Sequence, residues 1–185
     1  MTEKLRRTMT ADLEIRSSER TIFGLAVPFD SPTTVDDGRG PYDEVFRRGA
    51  FTRTIAERGD RVKLLVAHDR QQRLPIGRAT LLREDRAGLY GEFRVSRTRE
   101  GDEVLELVRD GALDAFSVGF RGIRSKPDQP RHGEVLERLE VALAEVSVVP
   151  FPAYAGAAIA GVRSRTEDHR LAVWRRRLTL LEADR

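Results

Sequence analysis

Apolar and polar residues alternate in short runs along the first 150 residues, and this pattern predicts a series of β-strands. The runs are separated by clusters of Gly, Pro, Asp and Ser, which are typical of turns. We predict strands over 12–16, 21–27, 42–46, 62–68, 75–83, 89–96, 115–124 and 134–149. The polar turn at 17–20 joins the first pair, and the strands at 75–83 and 89–96 form a hairpin in which Gly88 can take a positive φ.

Helical spacing in this part of the chain is confined to two segments. A short helix is predicted over 50–58, ended by Gly59, and a second over 99–110, followed by Gly111 as a C-cap. Strands dominate and do not alternate regularly with helices, which argues against a doubly wound α/β fold. The pattern therefore predicts a mainly β (α+β) protein, with an antiparallel β-barrel flanked by a few helices.

The C-terminal segment has a different pattern. After Thr166, which can cap a helix, apolar residues recur every three or four positions from Leu171 to Leu181, and Arg175 to Arg177 lie late in this run. We therefore predict two units, a domain over 1–161 and a basic amphipathic helical tail over 162–185. The apolar stripe fits packing on the domain's own core, and a partner-binding helix is the alternative.

Composition narrows the classes of protein that fit. At 185 residues, 39% hydrophobic and 34% charged, the chain can bury a core, and no apolar run approaches the length of a membrane span. The charged N-terminus has no hydrophobic stretch after it and does not fit a secretory signal. The absence of cysteine excludes disulfides and thiolate catalysis, and we predict no metal site and no cofactor. The net charge of +3 is compatible with nucleic-acid binding but does not require it.

Three segments each bring one chemical group to the end of a predicted strand. They are V-K-L-L-V-A-H-D at 62–69, A-F-S-V-G-F at 115–120 and A-E-V-S-V-V-P at 144–150. In the first, His68 shares a strand face with Leu64 and Val66. Glu145 lies on an apolar strand face, where a carboxylate needs a partner. An imidazole held by Glu145 could take a proton from Ser117, so we predict a nucleophile–base–acid set.

Alternation also places Ser117 relative to its neighbours. Phe116 and Phe120 lie on the opposite face, where they can anchor the strand in the core. Ser117 is left beside small residues, so that a substrate backbone could approach it. The oxyanion donors of such a site are backbone amides or an arginine, and Gly119 and Arg121 are the candidates in this segment.

Each of these residues also has an ordinary structural explanation. A strand serine or a histidine after an apolar run is often only structural, and Glu145 could pair with an arginine. Asp69 and Asp114 are rival acids on position alone, whereas His132 in a loop and His169 in the tail are predicted to be solvated. The absence of a G-x-S-x-G motif disfavours an α/β-hydrolase.

Six segments together resemble the prohead protease family of tailed bacteriophages, the HK97-type maturation proteases. They are E-V-F-R-R-G-A-F (44–51), L-L-V-A-H-D (64–69), P-I-G (75–77), G-L-Y-G-E-F (88–93), D-G-A-L-D-A-F-S-V-G-F (110–120) and L-A-E-V-S-V-V-P-F-P-A-Y-A-G-A (143–157). The resemblance extends from about Phe23 to Ala160, and the tail after Gly161 matches no motif of the family.

The resemblance implies a serine endopeptidase related to the herpesvirus assembly proteases, with a β-barrel ringed by helices. Its catalytic residues would be His68, Ser117 and Glu145. It would act inside the assembling procapsid in the bacterial cytoplasm, removing the scaffolding segment of the major capsid protein and then digesting itself. We expect a homodimer or larger oligomer, with no membrane partner and no requirement for nucleic acid. The tail would be a self-cleaved or capsid-targeting extension.

Two non-enzymatic functions compete with this hypothesis. The first is a capsid-assembly or scaffold module that binds capsid protein or nucleic acid through its basic tail. The second is a general nucleic-acid-binding barrel. The chain has only three Tyr and one Trp, and they do not interleave with basic residues as base-stacking surfaces require.

Overall fold

The computed structural model describes residues 20–36, 40–69, 74–127 and 134–150 in full, and the backbone of two strands nearer the N-terminus. In this described part of the chain the strands are β1 (Leu5–Met9), β2 (Glu14–Arg16), β3 (Thr21–Pro28), β4 (Thr33–Asp36), β5 (Pro41–Phe46), β6 (Lys63–Val66), β7 (Gly77–Glu84), β8 (Gly88–Val95), β9 (Ala115–Lys126) and β10 (Val135–Val149). The helices are α1 (Thr52–Arg58), a 3₁₀ turn (Gly59–Arg61) and α2 (Arg99–Arg109). None of these helices is long and apolar enough to span a membrane.

The strands form one mixed sheet in the order β1-β9-β10-β6-β7-β8-β3-β2, with β5 also paired to β10 and β4 paired to β5. The mainly β class with few helices is confirmed. An antiparallel arrangement throughout is wrong, because β10 lies parallel to both β5 and β6. The path of described strands runs from β1 to β2 without joining its two ends, so these strands do not close into a barrel.

Most predicted elements are present within a few residues, including the β7–β8 hairpin and both helices. Gly111 follows α2 with φ +83°, as its predicted capping position requires. The pattern missed β1 and β4, the second of which lies between Pro and Gly residues that favour a loop. It also extended β6 two residues too far. The tail helix predicted after Thr166 lies outside the described residues.

Five phenylalanines form the centre of the apolar core, each at most 1% exposed. They are Phe46, Phe51, Phe93, Phe116 and Phe120. The ring centroids of Phe46 and Phe120 are 5.2 Å apart, and those of Phe93 and Phe116 are also 5.2 Å apart. The two aromatics that flank Ser117 therefore anchor β9 in the core, as the alternation predicted.

Helix α1 stabilises an irregularity in β10 immediately before Glu145. The register of β10 against β9 shifts between Leu143 and Glu145, as in a β-bulge. The buried Thr54 hydroxyl of α1 accepts from the Leu143 N–H at 3.1 Å and donates to the Val141 carbonyl at 3.1 Å. These bonds satisfy backbone groups at the bulge and fix the direction in which Glu145 leaves the strand.

Candidate active site

Three adjacent strands bring the polar groups of the site to one face of the sheet. Ser117 in β9 lies directly opposite Ser147 in β10, and Ser147 lies opposite Leu65 in β6. Directly opposite residues point to the same face, and so do residues two apart in one strand. Glu145 therefore shares this face with Ser117 and Ser147.

His68 reaches the same face because the chain turns at the end of β6. Ala67 has φ +49° and His68 has φ +60°, so both residues are left-handed. The Asp69 N–H donates to the Val66 carbonyl at 3.0 Å and closes the turn. The prediction that His68 continues the strand on the side of Leu64 and Val66 is therefore wrong, because two left-handed residues break the alternation.

The imidazole of His68 joins the carboxylate to the serine. Its Nδ1 lies 2.9 Å from Oε1 of Glu145, and its Nε2 is hydrogen-bonded to Oγ of Ser117. The tautomer with a proton on Nδ1 satisfies both contacts: it donates to Glu145 and leaves Nε2 to accept from the Ser117 hydroxyl. His68 is 7% exposed, Glu145 2% and Ser117 0%, so water screens these contacts little.

Ser147 is a fourth member of the site that the sequence prediction left out. Its hydroxyl donates to the second carboxylate oxygen of Glu145 at 2.8 Å and accepts from the His68 backbone N–H at 3.1 Å. Ser147 therefore fixes the carboxylate and the left-handed turn together. The segment E-V-S at 145–147 indicates that Ser147 lies beside Glu145, because residues two apart in a strand share a face.

The other predicted site residues lie in less direct positions. Glu145 holds Nδ1 of His68, a contact that rival Asp69 and Asp114 do not make. Gly119 lies within the sheet, opposite Glu145 on one side and Arg6 on the other. Arg121 is exposed and four residues along β9 from Ser117, about 14 Å at the usual strand rise.

The Ser117 side chain is fully buried, although its small neighbours had suggested an open approach. His132 and His169 lie outside the described residues. Among the residues that are described, no cluster of three or more His, Asp or Glu side chains could hold a metal ion.

A buried carboxylate, an imidazole and a hydroxyl in hydrogen-bonded series form the side-chain set of a serine hydrolase, here on a mainly β scaffold. The chain belongs to the caudovirus prohead serine protease family, whose model matches residues 9–171. This match confirms the family resemblance of the sequence motifs.

One curated relative and one solved structure are similar to this chain. The prohead protease of Escherichia phage T5 is 28% identical over 120 residues, which cover 65% of this chain and 54% of the relative. The chain thus spans about half the length of that relative. The structure of the bacteriophage T4 capsid assembly protease, gp21, matches with a TM-score of 0.57 at 13% identity, over 80% of this chain and 97% of that one. At this identity the match to gp21 shows a shared fold.

Proposed function

We propose that the protein is a serine endopeptidase of phage capsid maturation, with Ser117 as nucleophile, His68 as general base and acid, and Glu145 as the group that orients His68. The observation that carries the proposal is the buried hydrogen-bond series from Glu145 through His68 to Ser117 in a member of a prohead protease family. A binding module without activity would have no need of this series.

The geometry supports acyl transfer to water. Oγ of Ser117 attacks a peptide carbonyl carbon while its proton passes to Nε2 of His68, and Glu145 stabilises the resulting imidazolium. His68 then returns the proton to the leaving amine as the C–N bond breaks, which leaves an acyl-enzyme. A water molecule, deprotonated by His68, releases the new carboxylate and restores Ser117. Backbone amides are the proposed oxyanion donors, with Gly119 and Arg121 as further candidates.

The proposed substrates are the major capsid protein, at its scaffolding segment, and the protease itself. The names of the T5 and T4 relatives, a prohead protease and a capsid assembly protease, support this assignment. The proposed location is the interior of the procapsid in the host bacterium, where the protease would act as a homo-oligomer. A relationship to the herpesvirus assembly proteases is part of the same proposal.

Coexpression with the capsid precursor tests the proposal. The Ser117→Ala variant should leave the precursor uncut in a mass spectrum, because no other group replaces the nucleophile. The matched control is Ser125→Ala, which removes a hydroxyl from the same strand that contacts only Arg138 at 3.3 Å. Normal processing by a folded Ser117→Ala variant would contradict the proposal and favour a capsid-assembly module.

A further inference from the structure

A row of three cations extends from the candidate active site across the same face of the sheet. Lys63 in β6 lies opposite Glu145 on one side and opposite Arg78 in β7 on the other. Arg78 in turn lies opposite Arg94 in β8. Because directly opposite residues share a face, the row Lys63–Arg78–Arg94 continues the face that carries Glu145 and Ser117.

The row lines an open cleft of about 1070 Å³ that is strongly positive. Arg20 and Arg97 add two more cations to its wall, and Glu92 is the one carboxylate among the described residues that line it. Arg20 already pairs with Asp102 at 2.5 Å, outside this lining. With Arg20 set aside, four cations and one carboxylate line the cleft, and this excess of positive charge favours an anionic ligand.

The three cations of the row are exposed. Within the described ranges none of them forms an ion pair, and the Arg78 guanidinium donates only to the carbonyls of Asp60, at 3.3 Å, and Ala79, at 3.2 Å. Like charges directly opposite each other destabilise a sheet. An anionic ligand would offset this repulsion.

The position of the row relative to Ser117 fits an extended peptide. Neighbouring strands lie about 4.8 Å apart, and the row is offset from Ser117 by two residues along the strands. Lys63, two strands away, is therefore about 12 Å from Ser117, and Arg94, four strands away, is about 20 Å from it. An extended chain covers these distances in about three to six residues. The exposed Leu74 and Pro75 add apolar surface at the cleft wall.

We propose that the row Lys63–Arg78–Arg94 is a substrate subsite that binds an extended acidic peptide segment, about three to six residues from the scissile bond. The proposal rests on the function proposed above. A peptide fits better than a nucleic acid, because no aromatic side chain is among the described residues that line the cleft, and bases need such a surface to stack on.

Peptide binding to the full-length Ser117→Ala protein tests the subsite without cleavage. The probes are fluorescent octapeptides of alternating Glu and Ala or alternating Lys and Ala, and a single-stranded octanucleotide, measured by fluorescence anisotropy. The Glu peptide should bind, and increasing salt should weaken it. Replacing Lys63, Arg78 and Arg94 together by Gln should weaken it about tenfold or more, because three exposed ion pairs, each of them weak, are lost at once.

The matched control replaces three exposed cations outside the cleft, Arg48, Arg58 and Arg86, by Gln, which changes the net charge equally. Binding of the Glu peptide by this control should match that of the parent. Three results would overturn the subsite. The first is that both triple variants bind the Glu peptide equally weakly, and the second is that the Lys peptide binds as well as the Glu peptide. The third is that the oligonucleotide binds and the Glu peptide does not.

Cleavage of the capsid precursor separates this proposal from the proposed function. With the active serine present, the triple Gln variant of the row should raise KM with little change in kcat, because it loses uniform binding. An unchanged KM would overturn the subsite while leaving the protease assignment intact. Acidic-peptide binding by Ser117→Ala, together with no cleavage by the parent, would support the cationic row and overturn only the proposed function.

Discussion

At the scale of single residues, the site depends on how a buried carboxylate is held. Both oxygens of Glu145 have partners, His68 Nδ1 at 2.9 Å and the Ser147 hydroxyl at 2.8 Å. Unpaired, such a carboxylate would cost several kcal/mol in this environment. Ser147 also accepts from the His68 backbone, so the acid and the base are positioned by one hydroxyl.

Replacing Glu145 by Gln should lower kcat on the capsid precursor by roughly 10³–10⁴-fold, with measurable activity remaining. An amide can donate to Nδ1 of His68, which favours the tautomer with its proton on Nε2, and this tautomer cannot accept the Ser117 proton. The control is Asp69→Asn, which changes the rival acid next to His68. A large loss of kcat in Asp69→Asn, with little loss in Glu145→Gln, would show that Asp69 and not Glu145 orients His68.

Replacing Ser147 by Ala should reduce kcat roughly tenfold and leave KM nearly unchanged, because Ser147 positions His68 and Glu145 without contacting substrate. The variant also leaves the buried His68 N–H without its Ser147 partner, so we expect a loss of about 1–3 kcal/mol in the free energy of unfolding. Steady-state kinetics below the melting temperature separate the two effects. A loss of stability with kcat preserved would show that Ser147 is only structural.

At the scale of elements, the turn at the end of β6 decides where the imidazole lies. Alternation along the strand would send His68 to the core side with Leu64, whereas the left-handed pair Ala67–His68 delivers it to the side of Leu65 and Ser147. Positive φ is uncommon at non-glycine residues, and although histidine adopts it more often than most, alanine does not, so the sequence did not indicate two consecutive left-handed residues. The turn forms because two acceptors about 80 residues away along the chain, the Ser147 hydroxyl and the Val148 carbonyl, accept its N–H groups.

Changing Ala67 to Val should reduce kcat at least tenfold while the protein stays folded. Alanine already adopts the left-handed conformation here, but a β-branched side chain is strongly disfavoured in it, so the turn relaxes and moves His68. Ala67 is exposed, so the added methyl groups have room and the effect comes from the backbone. Ala67→Gly is the matched control and should keep activity. Equal kcat values for the two variants would contradict a role for this turn.

Elements that depend on neighbouring residues are predicted by the local sequence pattern, and those that depend on distant residues are not. The hairpin, both helices and the alternation around Ser117 depend on neighbours in the sequence, and the structure has them where the pattern predicts. Strand β4 was missed although its Thr33 and Val35 are buried in alternation, because the surrounding Pro and Gly residues favoured a loop. The parallel pairing of β10 with β5 and β6 depends on contacts far apart in sequence, which alternation does not specify.

At the scale of the whole molecule, the junction of β5 and β10 is joined by two ion pairs of different kinds. Arg138 donates to Glu44 at 2.9 Å, and this pair is buried, with Glu44 0% exposed. Arg47 donates to Glu137 at 2.6 Å at the surface. The hydrogen bond from Arg47 lowers the pKa of Glu137 below its ordinary value. Its contribution to stability is therefore present above that ordinary value and is lost as the pH falls through the lowered pKa.

Removing the carboxylate from each pair should have different effects on global stability. Glu44→Gln leaves the Arg138 charge buried without its partner, so we expect a loss of about 3 kcal/mol in the free energy of unfolding at pH 7. Glu137→Gln, the matched control, should change stability little at pH 7, because an exposed pair is screened by water. The small difference in the free energy of unfolding between this variant and the parent should vanish in acid, because protonated Glu137 is uncharged, as Gln is.

Urea unfolding of the parent and the two variants, over a series of pH values from 7 downwards, measures these differences. Because β10 carries Glu145 and Ser147 beyond this junction, Glu44→Gln should also lower the temperature at which precursor cleavage stops. Equal loss of stability in the two variants would show that burial does not distinguish the pairs. A stable Glu44→Gln variant would mean that Tyr42 and Ser125, the other partners of the Arg138 guanidinium, suffice to hold the junction together.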